Sequence, residues 1–256
     1  MSRRKTAAIL AIGDELLSGR TRDANIHHLA GWLTARGVEL LEARIVPDDE
    51  TAIVAALNAL RETYDYVFTS GGIGPTHDDI TVDAIAAALG VRVIEHPDAV
   101  RTLEAWYGAR GQEVTAARRR MARAPEGADL IFNPVSGAPG IKVGNVFVMA
   151  GVPRIFEGML ETIEPWIERG AVIQSMSATA WRLPESRLAD ALTAIQKASP
   201  GVALGSYPID GDVKGVTIVA RSEDAAAAAR AIEKVAAAMR AEGAEPEFGD
   251  PRAPKA

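Results

Sequence analysis

Apolar residues fall into two alternating rhythms along the first part of the chain. Ala7 to Ile12 is an unbroken apolar run, as expected of a parallel strand buried on both faces. Ile26, Leu29, Ala30 and Leu33 then follow the i, i+3, i+4, i+7 spacing of one helix face, and Gly37 stands where that helix should stop. Val38 to Val46 reads as a second strand, and Ile53, Ala56, Leu57 and Leu60 repeat the helical spacing. Tyr66 to Thr69 is a third strand, Val82 to Leu89 a third helix closed by Gly90, and Val91 to Ile94 a short strand. Strands alternating with helices at this spacing predict an α/β fold, a largely parallel sheet covered on both faces.

The middle of the chain is less regular. Pro97 to Pro125 reads as two helices broken near Gly108 to Gly111, and Leu130 to Phe132 as a strand. Ser136 to Gly140 reads as a turn and Val146 to Met149 as a strand, after which Gly151-Val152-Pro153 opens a helix near Arg154. The pattern changes after Gly170. Val172 to Leu183, Leu188 to Ile195, Val202 to Ser206, Gly215 to Ala220 and Ile232 to Met239 read as strand, helix, strand, strand, helix. That order predicts a small two-layer α+β domain over 171–245, behind a first domain over 5–170. The remainder, 246–256, carries Pro246, Pro251 and Pro254 and is expected to be a disordered tail.

Ligands of open parallel sheets sit beyond the carboxyl ends of the strands. Three polar segments begin at those ends: Gly13-Asp14-Glu15, Pro47-Asp48-Asp49, and the stretch from Thr69 to Thr81. The last carries Gly71, Gly72, Gly74, Pro75, Thr76, His77, Asp78 and Asp79 between a strand and a helix start. Such a loop presents backbone N–H groups to a phosphate. Its two carboxylates argue against a bare phosphate site, since like charges about 5 Å apart cost roughly 3 kcal/mol at an effective dielectric near 20. A divalent cation between carboxylate and phosphate removes the conflict.

Each candidate has a plainer reading. The glycine spacing matches neither the dinucleotide nor the P-loop fingerprint, so glycines alone would signal only a tight turn. Asp79 is the stronger metal candidate, with Asp78 in support or capping the following helix. Asp14 and Glu15 read either as a helix-entry acid pair or as metal or ribose contacts. Asp48 and Asp49 read first as caps, Asn25 as a cap or a ligand contact, and His77 as a metal or phosphate contact or an incidental loop residue. His27, His28 and His96 show no metal spacing, and no G-x-S-x-G elbow is present.

Composition narrows the classes. With no cysteine, disulfides, thiolate metal sites and cysteine nucleophiles are excluded. A net charge of −6 gives no overall attraction to nucleic acid or an anionic membrane. The dense basic run Arg118-Arg119-Arg120 with Arg123 reads as a solvated helix face. Arg3-Arg4-Lys5 before a short apolar run reads as a basic leader into the first strand and not as a signal peptide. With no membrane-length segment, the expected location is the cytoplasm.

The order Gly13-Asp14-Glu15-Leu16-Leu17, Asn25, Pro47-Asp48, the Gly71 to Asp79 loop and Gly151-Val152-Pro153 resembles the N-terminal region of the CinA family, within the MoaB/Mog molybdopterin-binding superfamily. The resemblance spans roughly residues 6 to 245. It implies the three-layer α/β/α MoaB/Mog fold with a KH-like C-terminal module, and no nicotinamide mononucleotide deamidase domain. It also implies catalytic and metal-holding roles for Asp48 and Asp79, with Asp78 beside them. Gly13, Asp14, Glu15, Asn25, Gly71, Gly72, Gly74, Pro75, Thr76 and Gly151 would then hold substrate and phosphate. The implied activity is a Mg-, Mn- or Co-dependent nucleotide pyrophosphatase acting on ADP-ribose or a similar dinucleotide. The competing implication is a molybdopterin-binding or regulatory module. Ile80-Thr81-Val82-Asp83-Ala84 lacks the proline of the Mog pattern and lies closer to CinA. A small nucleotide or pterin ligand and a homo-oligomer, with a homodimer favoured, are expected. The Gly-x-x-Gly clamp of a KH domain is missing, which argues against nucleic acid.

Overall fold

The unbroken apolar run near the N-terminus lies inside a six-stranded sheet. The computed structural model describes residues 4–249, so Arg3 of the basic leader lies outside the described residues. The chain divides into two compact units, one through Gly170 and one from Ala171. The first unit runs β1 (Thr6–Ile12), α1 (Asp14–Leu17), α2 (Asn25–Thr34), β2 (Glu39–Val46), α3 (Glu50–Thr63), β3 (Tyr66–Ser70) and α4 (Thr81–Leu89). It continues β4 (Val93–Glu95), α5 (Pro97–Gly108), α6 (Ala116–Arg119), β5 (Arg123–Pro125), β6 (Asp129–Ile131), β7 (Gly140–Val143), β8 (Val146–Met149) and α7 (Pro153–Thr162).

The sheet order is β2-β1-β3-β8-β7-β6, with β2, β1, β3 and β8 parallel, β7 antiparallel to β8, and β6 antiparallel to β7. Alternation along β1 divides the core. Ala7 and Ile9 pack with Leu29, Leu33, Phe68, Phe147 and Phe156 on one face. Ala8, Leu10 and Ile12 pack with Ile53, Leu57, Leu60 and Ile85 on the other. Each such large side chain contributes about 1.5–3 kcal/mol on burial, which holds α2 and α7 against one face and α3 and α4 against the other. Phe68 and Phe147 stack with centroids 5.1 Å apart across β3 and β8. The consequence for function is the ladder register. Ala11 pairs with Ser70, Ser70 with Met149 and Ile12 with Val46, so four carboxyl ends finish at one rim.

The structure departs from the sequence reading in the middle of this unit. The short strand after Gly90 begins at Val93 and pairs with β5 in a separate two-stranded ladder. Gly140 begins β7 where only a turn was expected, and the strand before it ends at Ile131, leaving Phe132 exposed.

The second unit runs β9 (Gln174–Trp181), α8 (Ala189–Lys197), β10 (Ala203–Ile209), β11 (Gly215–Ser222), α9 (Ala225–Ala241) and β12 (Glu247–Phe248). Its antiparallel sheet has the order β10-β11-β9-β12. Ala178, Ala180, Val216, Ile218 and Ala220 face Ile195, Ala228, Ile232, Val235 and Met239 of the helices. The tail expected from 246 onward is ordered at its start. Glu247 and Phe248 pair with β9, and the Gly249 N–H donates to the Ser177 carbonyl at 2.9 Å. The rest of that segment lies outside the described residues.

Candidate active site

β3 delivers the chain into the glycine loop through two positions that only glycine fits. Gly71 sits at φ +111°, and a Cβ there would lie 2.2 Å from the Ile12 carbonyl oxygen. Gly72 sits at φ +66°, with its Cβ position 2.1 Å from Thr81 Oγ1. The chain returns at Thr81, whose N–H donates to the Gly72 carbonyl (3.1 Å) and whose hydroxyl donates to the Gly71 carbonyl (3.0 Å). Asp79 closes the loop from within. Its Oδ1 accepts from the Gly74 N–H (2.6 Å), and its Oδ2 accepts from the Thr76 N–H (2.7 Å) and hydroxyl (2.5 Å).

These bonds bear on two of the expected roles. The Asp79 carboxylate, chosen from sequence as the metal ligand, is engaged on both oxygens by its own loop. The Gly71 N–H donates to the Met149 carbonyl (3.1 Å) and the Gly74 N–H to Asp79, so neither is open to a phosphate. Gly72 and Ile73 keep N–H groups with no acceptor among the described residues. Neither loop aspartate caps α4, whose N-cap position is Ile80 and has no side-chain cap bond. His77 is 98% exposed on its side chain and touches only the edge of Asp78.

The turn after β2 separates its two aspartates. Asp49 caps α3, its Oδ1 accepting from the Ala52 N–H at 2.9 Å. Asp48 turns the other way, and its Oδ2 accepts from the Asp14 N–H at 3.0 Å. Burial, above all, pushes the Asp48 carboxyl up from its ordinary value. The charges of Asp14, Glu15 and Asp78 push in the same direction, against the Asp14 N–H. Asp78 is held low, first by the neighbouring Thr76 hydroxyl. Three chain segments therefore bring Asp14, Glu15 and Asp78 within electrostatic reach of Asp48. Among the described residues, no three His, Asp or Glu side chains gather as a ready metal-ligand set.

Asn25 is the first residue of α2 and is 3% exposed. Its Nδ2 donates to Ser70 Oγ (2.7 Å) and to the Gly151 carbonyl (2.8 Å), tying the end of β3 to the second glycine turn. It does not cap its helix. Its Oδ1 is buried with no partner among the described residues, and the residue lines a cavity of about 50 Å³ with Glu15, Thr21, Ser70 and Pro153. A lone buried acceptor of this kind costs about 1–3 kcal/mol. Gly151 lies close enough to Gly71 that a Cβ on it would stand 3.1 Å from the Gly71 Cα. Gly13 belongs to the turn itself, donating to the Val46 carbonyl at 3.1 Å.

Between the two glycine turns lies a cavity of about 600 Å³. Its lining includes Glu15, the segment Gly71 to Pro75, Asp79 and the Gly151-Val152-Pro153 turn. Tyr107, Met121, Asn133, Ile155 and Met159 also line it, and none of these was singled out from sequence. That volume suits a nucleotide-sized ligand. Asn133 is buried and pins its own turn, accepting from the N–H groups of Val135 (3.0 Å) and Ser136 (3.1 Å). The run Asn133-Pro134 carried that turn signal. The basic run expected to be a solvated face is divided among separate tasks. Arg118 lies over the Tyr107 ring, Arg119 pairs with Glu95, Arg123 pairs with Asp83, and Arg120 lines a cleft with Gly74 and Asp79.

Residues 8–169 match the model of the probable molybdopterin binding domain, and residues 177–247 match that of the FAD synthase middle domain. A CinA-like protein of Desulfosudis oleivorans is 35% identical over 209 residues, covering 78% of this chain and 51% of that protein. The chain thus spans about half the length of that relative. A protein of Aeropyrum pernix is 34% identical over 252 residues, covering 92% of this chain and 94% of its own. Among solved structures, the protein CinA with unknown function from Thermoplasma acidophilum is 34% identical, with a TM-score of 0.58. That likeness covers 63% of this chain and 97% of the other. Matched over more than half its length, the chain belongs to the MoaB/Mog family of molybdopterin-binding-type domains and has CinA-like proteins among its relatives.

Proposed function

We propose that the N-terminal unit binds a nucleotide pyrophosphate, ADP-ribose or a similar dinucleotide, and hydrolyses it with the help of a divalent ion, Mg, Mn or Co. The observation that carries this reading is the partly buried Asp48, crowded by the charges of Asp14, Glu15 and Asp78. The rim adjoins a loop whose Gly72 and Ile73 N–H groups have no acceptor among the described residues. Excess negative charge beside anion donors fits an ion held by one or two carboxylates and completed by ligand phosphate oxygens and water. Asp48 and Asp78 are the residues that would hold it. When bound, such an ion stabilises charge on the pyrophosphate and lowers the pKa of a bound water.

The chain's own residues do the rest. Asp79 positions the loop and leaves the Gly72 and Ile73 amides as donors. Asn25 holds the Gly151 turn against the loop, and Asp14 and Glu15 border the ribose or the attacking water. Water adds across the P–O–P linkage, releasing AMP and ribose 5-phosphate from ADP-ribose. A second reading, a pterin-binding or regulatory module with little hydrolysis, draws support from the fully engaged Asp79 and from the want of a three-residue ligand set among the described residues.

One panel separates them. ADP-ribose, FAD, NADH and molybdopterin are incubated with the chain and each metal, and AMP release is followed. The expected result is metal-dependent AMP release from a dinucleotide that falls about 100-fold or more in Asp48→Asn. Tight pterin binding with no AMP from any dinucleotide would establish the module instead.

A further inference from the structure

β2 ends the six-stranded sheet, and its outer edge is unpaired among the described residues. Beside its charged stripe of Glu42 and Arg44, the strand carries an apolar stripe unlike that of an edge meant for water. Leu41 is 58% exposed and Ile45 42%, with exposed Ala43 between them. Open edges are normally blunted by charge, proline or a covering element, because their free N–H and C=O groups template pairing. The main chain of β2 is set for that pairing. The Val46 carbonyl turns inward and accepts from the Gly13 N–H, so strand alternation turns the main-chain groups of Ile45 and Ala43 outward. The one register shift against β1 passes over Leu41 and leaves Glu42 to Val46 regular.

We infer that β2 pairs antiparallel with β2 of a second copy of this chain, about a two-fold axis at Ala43. The charge pattern selects this register. Centred on Ala43, each Glu42 faces the partner's Arg44, and each Leu41 faces the partner's Ile45. A shift of one residue sets Glu42 against the partner's Glu42, or Arg44 against the partner's Arg44, and like charges directly opposite destabilise a ladder. Only the Ala43-centred register of the three satisfies both stripes, and it forms about six main-chain hydrogen bonds. The charged groups are already held in place within one copy. Arg44 Nε donates to Glu42 Oε1 at 2.5 Å, and the Tyr64 hydroxyl donates to Glu42 Oε2 at 2.8 Å. The strand therefore offers a self-complementary edge, and the sheets of two copies run on as one.

The test is sedimentation velocity of the full chain from about 1 to 100 μM, where mass action reveals a micromolar dimer. The parent chain is expected to sediment as a dimer. Ala43→Pro removes an outward N–H and leaves the inward ladder intact, and it is expected to sediment as a monomer. Glu42→Arg sets two arginines against each other and is expected to weaken association at least ten-fold. Adding Arg44→Glu to Glu42→Arg restores the opposite-charge pairing and is expected to recover the dimer. Circular dichroism checks that each variant folds, and Glu42→Arg keeps the test decisive should Ala43→Pro fail to fold. A monomer at the highest concentration overturns the inference, as does a trimer, or a dimer indifferent to Glu42→Arg.

Discussion

The glycine loop and the acidic rim beside it each hinge on one aspartate, and the two are treated in opposite ways. Asp79 has both oxygens filled by donors from its own loop, two backbone amides and a hydroxyl. Asp48 has one backbone donor and is pressed by three other carboxylates. The first arrangement stabilises an anion and shapes the backbone around it. The second leaves an anion under-compensated, which favours any cation that arrives. Equal acidity in a sequence thus divides into a residue that supplies geometry and one that supplies charge. On the proposed reading, Asp79 supplies shape and Asp48 a place for a cation, and mutation can break either half.

The largest effect should come from the loop entrance. Gly71→Ala forces an L residue into φ +111° and drives its Cβ against the Ile12 carbonyl, a backbone atom that cannot swing aside. The expected cost is about 3–5 kcal/mol, read as a lower urea midpoint for the first unit. Asp79→Asn should cost less, about 1–2 kcal/mol, because an amide oxygen can keep only part of the donor set. Thermal unfolding measures it, and hydrogen exchange should quicken at the Gly74 and Thr76 amides. If those two amides stay as protected as in the parent, Asp79 does not hold the loop and the contrast with Asp48 fails.

The long strands were legible because burial on both faces leaves continuous apolar runs. Ala7 to Ile12 needs no tertiary information to be recognised. β4, β5 and β7 are three or four residues long, include Pro125 and Lys142, and have no periodicity to read. The tail misled for a related reason, since its prolines outweighed a two-residue strand at Glu247–Phe248. At the site, the three acidic and glycine-bearing segments were visible because each follows a strand end. The partners were not. Asn25 reaches a carbonyl 126 residues away, and Asp79 closes its loop only because Thr81 brings the chain back to Gly72. Such pairings belong to the folded backbone and leave no spacing signature. Tyr107 and Met121 likewise look like ordinary helix positions until α5 and its neighbours are folded beside the loop.

The smallest effect, and the sharpest on the charge half of the comparison, is expected from Asp48→Asn without divalent metal. Because the folded-state pKa of Asp48 is raised, chiefly by burial, the unfolded chain loses that proton first as pH rises. Its contribution to stability is fully present below the unfolded value of about 3.9 and is lost as pH climbs through the folded value. The amide introduced by Asp48→Asn has no proton to lose and keeps the side-chain oxygen that accepts from the Asp14 N–H. The variant should therefore melt about 1–2 °C above the parent at pH 7 in chelator, and the gap should close near pH 4 and below. Divalent metal should then raise the parent's melting temperature and leave the variant's nearly unchanged. Equal melting temperatures at pH 7, or an equal response to metal, would show that the crowding around Asp48 has no energetic consequence and that the rim attracts no cation through it.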